Sequence, residues 1–239
     1  MSEARHIVQS YEAELAHLRE LINQMGGMVE SQVASACRAV LQQDGAAATR
    51  AIEADPTVDQ TERDVEQFVV RLLALRQPVA GDLRQIVSAL KMTSDFERIG
   101  DYASNVAKRS MVLMQFSLPF SLSGFAHMAR LVQENLKAII DAADQGDADR
   151  AVEVWRSDAA IDEIYNALFR ELMTYMMEDP RNITPCAHLL FIAKNLERVG
   201  DHATNIAETV YFSVRGEPLQ DVRPKDDSSA YAIVRPARD

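Results

Sequence analysis

Cysteine, glycine, proline and basic residues are all scarce in this chain of 239 residues, and each scarcity excludes something. Two cysteines, Cys37 and Cys186, cannot build a disulfide framework, and no Cys-x-x-Cys occurs, so a reducing compartment is expected. Nine glycines and eight prolines are too few for most turn-rich all-β folds or for a largely disordered chain. Long apolar runs are missing as well. Stretches such as Leu189 to Ala193 fall far below the roughly 18 residues a spanning helix needs. Met1 to Arg19 contain Glu3, Glu12 and Glu14 and no apolar core of a secretory signal, which predicts a soluble, cytoplasmic protein. Lys plus Arg total 25 against 36 Asp plus Glu, a net charge of −11. That deficit argues against a general binder of nucleic-acid phosphates and suits cations or basic partners.

What is present is apolar residues at helical spacing. Tyr11, Leu15, Leu18, Ile22, Met25 and Val29 recur at intervals of four and three. Gly26-Gly27 interrupt this seam and predict a kink or a close helix contact. Turn signals at Gln43-Asp44-Gly45, Gln77-Pro78, Ser117 to Ser121, Gln145-Gly146-Asp147 and Asp179-Pro180 divide the chain into six long helices. The expected fold is all-α: two tandem repeated three-helix bundles of antiparallel helices, residues 1–118 and 119–215. A Pro-, Ser- and Asp-rich tail over 216–239 is expected to be poorly ordered.

Direct comparison of the halves supports duplication. Glu97-Arg98-Ile99-Gly100-Asp101-Tyr102-Ala103-Ser104-Asn105-Val106-Ala107 aligns with Glu197-Arg198-Val199-Gly200-Asp201-His202-Ala203-Thr204-Asn205-Ile206-Ala207. Seven of eleven positions are identical and three more are Ile/Val or Ser/Thr exchanges, at a constant offset of 100. On a helix Glu97, Asp101 and Asn105 share one face, as do Glu197, Asp201 and Asn205. With Ile99, Ala103 and Val106 roughly opposite and suited to the core, this oxygen-rich stripe should lie near the surface.

The preceding helix of each half carries a second acidic pair, Asp55 with Asp59 and Asp158 with Asp162. Asp59 and Glu97 are each 19 residues from Pro78, and Asp55 and Asp101 each 23. Asp162 with Glu197, and Asp158 with Asp201, flank the Asp179-Pro180 turn in the same way. An antiparallel hairpin therefore brings four carboxylates level in each half. Oxygen-only sites of this kind suit hard cations, Mg²⁺, Mn²⁺ or Ca²⁺, with iron also compatible. The alternative is structural pairing with Arg98 and Arg198. Gly100 and Gly200, unfavourable within a helix, predict close approach of a neighbouring helix or of a hydrated metal.

At these residues the chain resembles the PhoU family of phosphate-specific transport accessory and regulatory proteins, whose duplicated E(D)xxxD motifs match the two Glu-Arg-(Ile/Val)-Gly-Asp segments. Met25-Gly26-Gly27-Met28-Val29-Glu30, Arg76-Gln77-Pro78 and Leu172 to Asp179 add to the likeness, which spans about residues 5–215. The resemblance implies a cytoplasmic, dimerising, non-enzymatic regulator, peripheral to membrane complexes. Such a protein restrains phosphate uptake and keeps the phosphate-starvation response off when phosphate is plentiful. Its implied partners are the transporter ATPase, PstB-like, and a sensor histidine kinase, PhoR-like. Its implied cofactors are divalent or trivalent metal ions (Mg, Mn, Fe or Zn). Carried over by position, the metal candidates are Glu97, Asp101, Glu197 and Asp201, followed by Asp55, Asp59, Asp158, Asp162, Asn105 and Asn205. His202 replaces Tyr102 in the second copy and is expected to be a ligand or a surface residue.

A metal-dependent hydrolase or oxidase using the carboxylate clusters is the alternative. Glu-x-x-His pairs at Glu3/His6 and Glu14/His17 have di-iron spacing but occupy a single segment. Neither a Walker-type loop nor HExxH or GxSxG is present.

Overall fold

A computed structural model describes residues 2–118 and 120–220, with side chains from Ser10 onward. Six long helices follow one another: α1 Ser2–Gln42, α2 Gly45–Arg76, α3 Ala80–Leu113, α4 Ser123–Gln145, α5 Ala148–Glu178 and α6 Ile183–Arg215, the last preceded by a 3₁₀ turn, Pro180–Asn182. No strand occurs among the described residues. The tail expected over 216–239 falls outside the described residues from position 221.

The turns form where local chemistry dictates. Asp44 caps α2, its carboxylate accepting from the Ala47 amide at 3.0 Å. Asp147 caps α5 by accepting from Asp149 and Arg150. Such caps satisfy amide donors that the first helical turn leaves open. Gly146 (φ 63°) closes α4 and Gly216 (φ 81°) closes α6 in the left-handed region, where a Cβ is unfavourable.

The predicted seam of α1 is the buried one. Leu18, Ile22, Met25 and Val29 are 5% exposed or less, and each such side chain contributes roughly 1.5–3 kcal/mol by burial. Helix α1 runs through Gly26-Gly27 without interruption. Of the two expected outcomes, close contact is the one seen: a Cβ on Gly26 would lie 3.2 Å from Ile140 Cγ2 of α4.

Helices α1, α2 and α3 pack on one another, as do α4, α5 and α6. The most extensive helix contact, however, joins α3 to α6 across the two halves, and α1 also meets α4. One hydrophobic cluster runs through all six helices. Cys37 and Cys186 are free and buried in it, and desolvation pushes their thiols up to about 12 and about 11, which leaves them inert.

Candidate functional site

The α3–α6 contact is antiparallel. Arg109 stacks on Phe191, Tyr102 meets Arg198, Asp95 meets His202, and Lys91 lies over Phe212, so the partner's number rises as the α3 number falls. The two Glu-Arg-(Ile/Val)-Gly-Asp segments therefore stand at the same level of one interface. The sequence predicts one acidic hairpin per half, and the fold sets both beside the junction of the halves.

In the first hairpin, Asp55, Asp59 and Glu62 of α2 face Glu97 and Asp101 of α3. Burial, then Asp101 and Glu62, push the Glu97 carboxyl up to about 7. Asp101 is raised by burial and then chiefly by Asp55. The predicted register thus holds for Asp55 and Asp101. Opposite Glu97, Glu62 is felt more strongly than Asp59. Sequence reasoning missed Glu62, although its spacing from Asp55 and Asp59 continues one helical face. Arg98 lies 3.6 Å from both Glu97 and Asp101, with its own side chain mostly exposed. Gln32 of α1, also missed, is buried behind the cluster. Its amide donates to Ala51 O, Asp55 Oδ1 and Gly100 O, while its Oε1 has no partner.

The second hairpin differs. In its stripe Glu197 is 4% exposed while Asp201 and Asn205 are half-buried, and Asp158 and Asp162 of α5 are 2% and 3% exposed; in the first hairpin Glu97 and Asp101 are both partly open. Lys194 is the reason Glu197 tolerates burial, its Nζ donating to Glu197 Oε1 at 2.8 Å. Glu197 Oε2 is buried without a partner. Burial still raises this carboxyl to about 7, against the lowering effect of Lys194. A cleft of about 440 Å³ opens here, lined by Tyr102, Asp162, Lys194, Glu197, Arg198, Asp201 and His202.

Arg198 donates to the Tyr102 hydroxyl at 3.4 Å and lies over that ring, and it also feels Glu197 and Asp201. His202 is half-buried at the mouth of this cleft. Its Nδ1 is 2.8 Å from Asp95 Oδ1, and Asn205 Nδ2 also reaches Asp95, at 3.3 Å. Asn205 thus bridges the halves, while Asn105 is exposed. Gly100 and Gly200 admit neighbouring helices. A Cβ at Gly100 would lie 3.1 Å from Gln32 Oε1 and 3.3 Å from Val58 Cγ1, and one at Gly200 3.0 Å from Ile161 Cδ1.

Glu14 is engaged by Arg76 at 2.7 Å and His17 packs edge-on against Phe68, so neither serves a di-iron site; the side chains of Glu3 and His6 lie outside the described residues.

The PhoU domain family matches residues 22–110 and 125–210, one copy for each hairpin. The chain belongs to the PhoU family. It is 48% identical over 223 residues to the phosphate-specific transport system accessory protein PhoU homolog of Caulobacter vibrioides, covering 93% of this chain and 97% of that one. The Rhizobium meliloti homolog of the same description is 45% identical, with 94% and 95% covered. Among solved structures, PhoU from Pseudomonas aeruginosa superposes with a TM-score of 0.84 at 42% identity, covering 87% of this chain and all of that one. The phosphate transport system regulatory protein PhoU from Streptococcus pneumoniae superposes with a TM-score of 0.80 at 28% identity, with 88% and 99% covered. PhoU proteins are accessory and regulatory proteins and not enzymes, which sets aside the hydrolase or oxidase alternative. Among the described residues no helix of this PhoU protein is long and apolar enough to cross a membrane.

Both hairpins supply hard oxygen donors in excess of their cations, and Glu197 Oε2 is a buried acceptor without a donor, so the donor set fits a hard cation. Among the described residues, no three His, Cys, Asp or Glu side chains already converge on one point as ligands. Gathering them on an ion therefore requires side-chain rotation.

Proposed function

We propose that this chain is a metal-binding regulatory adaptor of phosphate homeostasis. It restrains phosphate uptake and represses the phosphate-starvation response when phosphate is plentiful. It acts in the cytoplasm, as a homodimer, by docking helical faces on the ATPase of the phosphate transporter and on a sensor histidine kinase. The observation that carries this reading is the duplicated PhoU repeat with an acidic hairpin in each copy, where burial pushes the Glu97 and Glu197 carboxyls up to about 7.

Glu97, Asp101, Asp55 and Asp59 would hold an ion in the first hairpin, and Glu197, Asp201, Asp158 and Asp162 in the second. A bound multivalent cation supplies positive charge where these carboxylates repel. Held on one ion, these residues would tie α2 to α3 and α5 to α6 and fix the acidic face offered to a partner.

Elemental analysis of the native protein beside the variant Glu97→Ala, Asp101→Ala, Glu197→Ala, Asp201→Ala tests the metal. Magnesium, manganese, iron or zinc is expected in the first and lost in the second. Pull-down with the transporter ATPase and with the kinase, with and without Mn²⁺, tests the adaptor role. Failure to retain either partner under any condition overturns it.

A further inference from the structure

The duplication sets corresponding positions side by side, and two of them are exchanged together. Asp55 and Asp59 correspond to Asp158 and Asp162, so Glu62 in α2 corresponds to Tyr165 in α5. Glu97 corresponds to Glu197, so Ser94 in α3 corresponds to Lys194 in α6. The first hairpin thus has an acid and a hydroxyl where the second has an aromatic ring and an amine.

The second pair is built as a unit. Lys194 Nζ lies 4.8 Å from the Tyr165 ring centroid and 2.8 Å from Glu197 Oε1. Ring and carboxylate both favour a cation at that point. Tyr165 and Glu197 are buried, at 6% and 4% exposure, while the Lys194 side chain is one-third exposed, so water screens the ammonium in part. It also lines the cleft shared with Asp162 and Asp201.

Nothing equivalent stands in the first hairpin. Ser94 is exposed. Five carboxylates, Asp55, Asp59, Glu62, Glu97 and Asp101, share the exposed Arg98, which lies 3.6 Å from Glu97 and Asp101, with weaker influences of Arg63 on Glu62 and Lys108 on Asp101. The second hairpin has four carboxylates, a lysine inserted among them, and Arg198 beside them.

We infer that Lys194 is a built-in cation of the second hairpin, so that the two repeats take up multivalent ions in order: the first hairpin tightly, the second weakly and only as Lys194 is displaced. Glu197 Oε2, buried and without a partner, is the acceptor that keeps the second site able to bind. The chain then carries one resident ion and one that responds to concentration. This inference rests on the metal reading above.

The test is a Mn²⁺ titration of the full-length, chelator-stripped protein, with free Mn²⁺ followed by electron paramagnetic resonance and folding checked by circular dichroism. Wild type should show a tight and a weak class. Glu97→Gln with Asp101→Asn should remove the tight class, and Glu197→Gln the weak one. Lys194→Ser should tighten the weak class about tenfold or more, because one competing unit charge is gone, and leave the tight class unchanged. Lys194→Met, which keeps an aliphatic stem on Tyr165, should do the same, and Lys194→Arg should not. Two classes of equal affinity, a tight class lost with Glu197→Gln, or no response to either lysine removal overturns this inference alone. No Mn²⁺ uptake by wild type or by the lysine variants overturns the metal reading together with it.

Discussion

His202 of α6 meets Asp95 of α3 at 2.8 Å, and the pair joins the two repeats at the level where their motifs cross. The positions related to it by the duplication are Tyr102 and Asn195, which cannot form the same pair. Tyr102 instead receives Arg198, and its ring tilts against His202 with centroids 5.6 Å apart. The departure of His202 from Tyr102 therefore serves the contact between the halves. Asp95→Asn and His202→Phe should each cost about 1 kcal/mol of stability, the usual worth of one such bond. Urea unfolding of the two single variants and the double variant checks this, and additive losses would show the pair to be uncoupled.

The two raised glutamates give stability a distinctive pH dependence. Glu97 and Glu197 titrate near pH 7 in the fold against an ordinary value of 4.5. Between these values the folded chain binds more protons than the unfolded one. Metal-free protein should therefore lose stability as pH rises from about 4.5 to about 7. Urea midpoints across that range should fall in wild type and flatten in Glu97→Gln, Glu197→Gln. Added Mn²⁺ should offset the loss at the upper end.

Glu62 belongs to the first hairpin although it lies outside the repeated motif. Glu62→Gln should weaken the tightest Mn²⁺ binding by roughly 3- to 10-fold, since it removes a charge that faces Glu97. Glu66→Gln, one turn further along α2 and exposed, should change it less. Isothermal titration of both variants separates them, and equal effects would remove Glu62 from the site.

Two glycines within helices should respond with opposite signs. Gly27 has open space where a Cβ would sit, so Gly27→Ala should stabilise by about 0.5–1 kcal/mol through helix propensity. At Gly100 a Cβ would press on Gln32, which makes three hydrogen bonds, and on the stiff side chain of Val58. Gly100→Ala should cost about 1–3 kcal/mol by overpacking. Thermal melts followed by the fluorescence of Trp155, the single tryptophan, measure both changes.

The six helices, their turns and the doubled acidic motif were legible in the sequence because they are local. Apolar period, Asp44 and Asp147 as caps, and the distance of each carboxylate from Pro78 act over a few turns of one hairpin. The level pairing of Asp55 with Asp101 followed from counting residues about a turn. What counting leaves open is how one hairpin lies against the next. That was decided by the packing of α3 on α6, which no local pattern encodes, because the ridges of either helix offer several registers to the other. Only that packing brought Asp95 to His202 and Tyr102 to Arg198. Packing within the second hairpin likewise set Lys194 between Tyr165 and Glu197. The sequence alone determined that each half carries a patch of negative oxygens. The tertiary structure decided that one patch remains open to the solvent while the other already contains an ammonium group, because burial makes an unpaired carboxylate too costly.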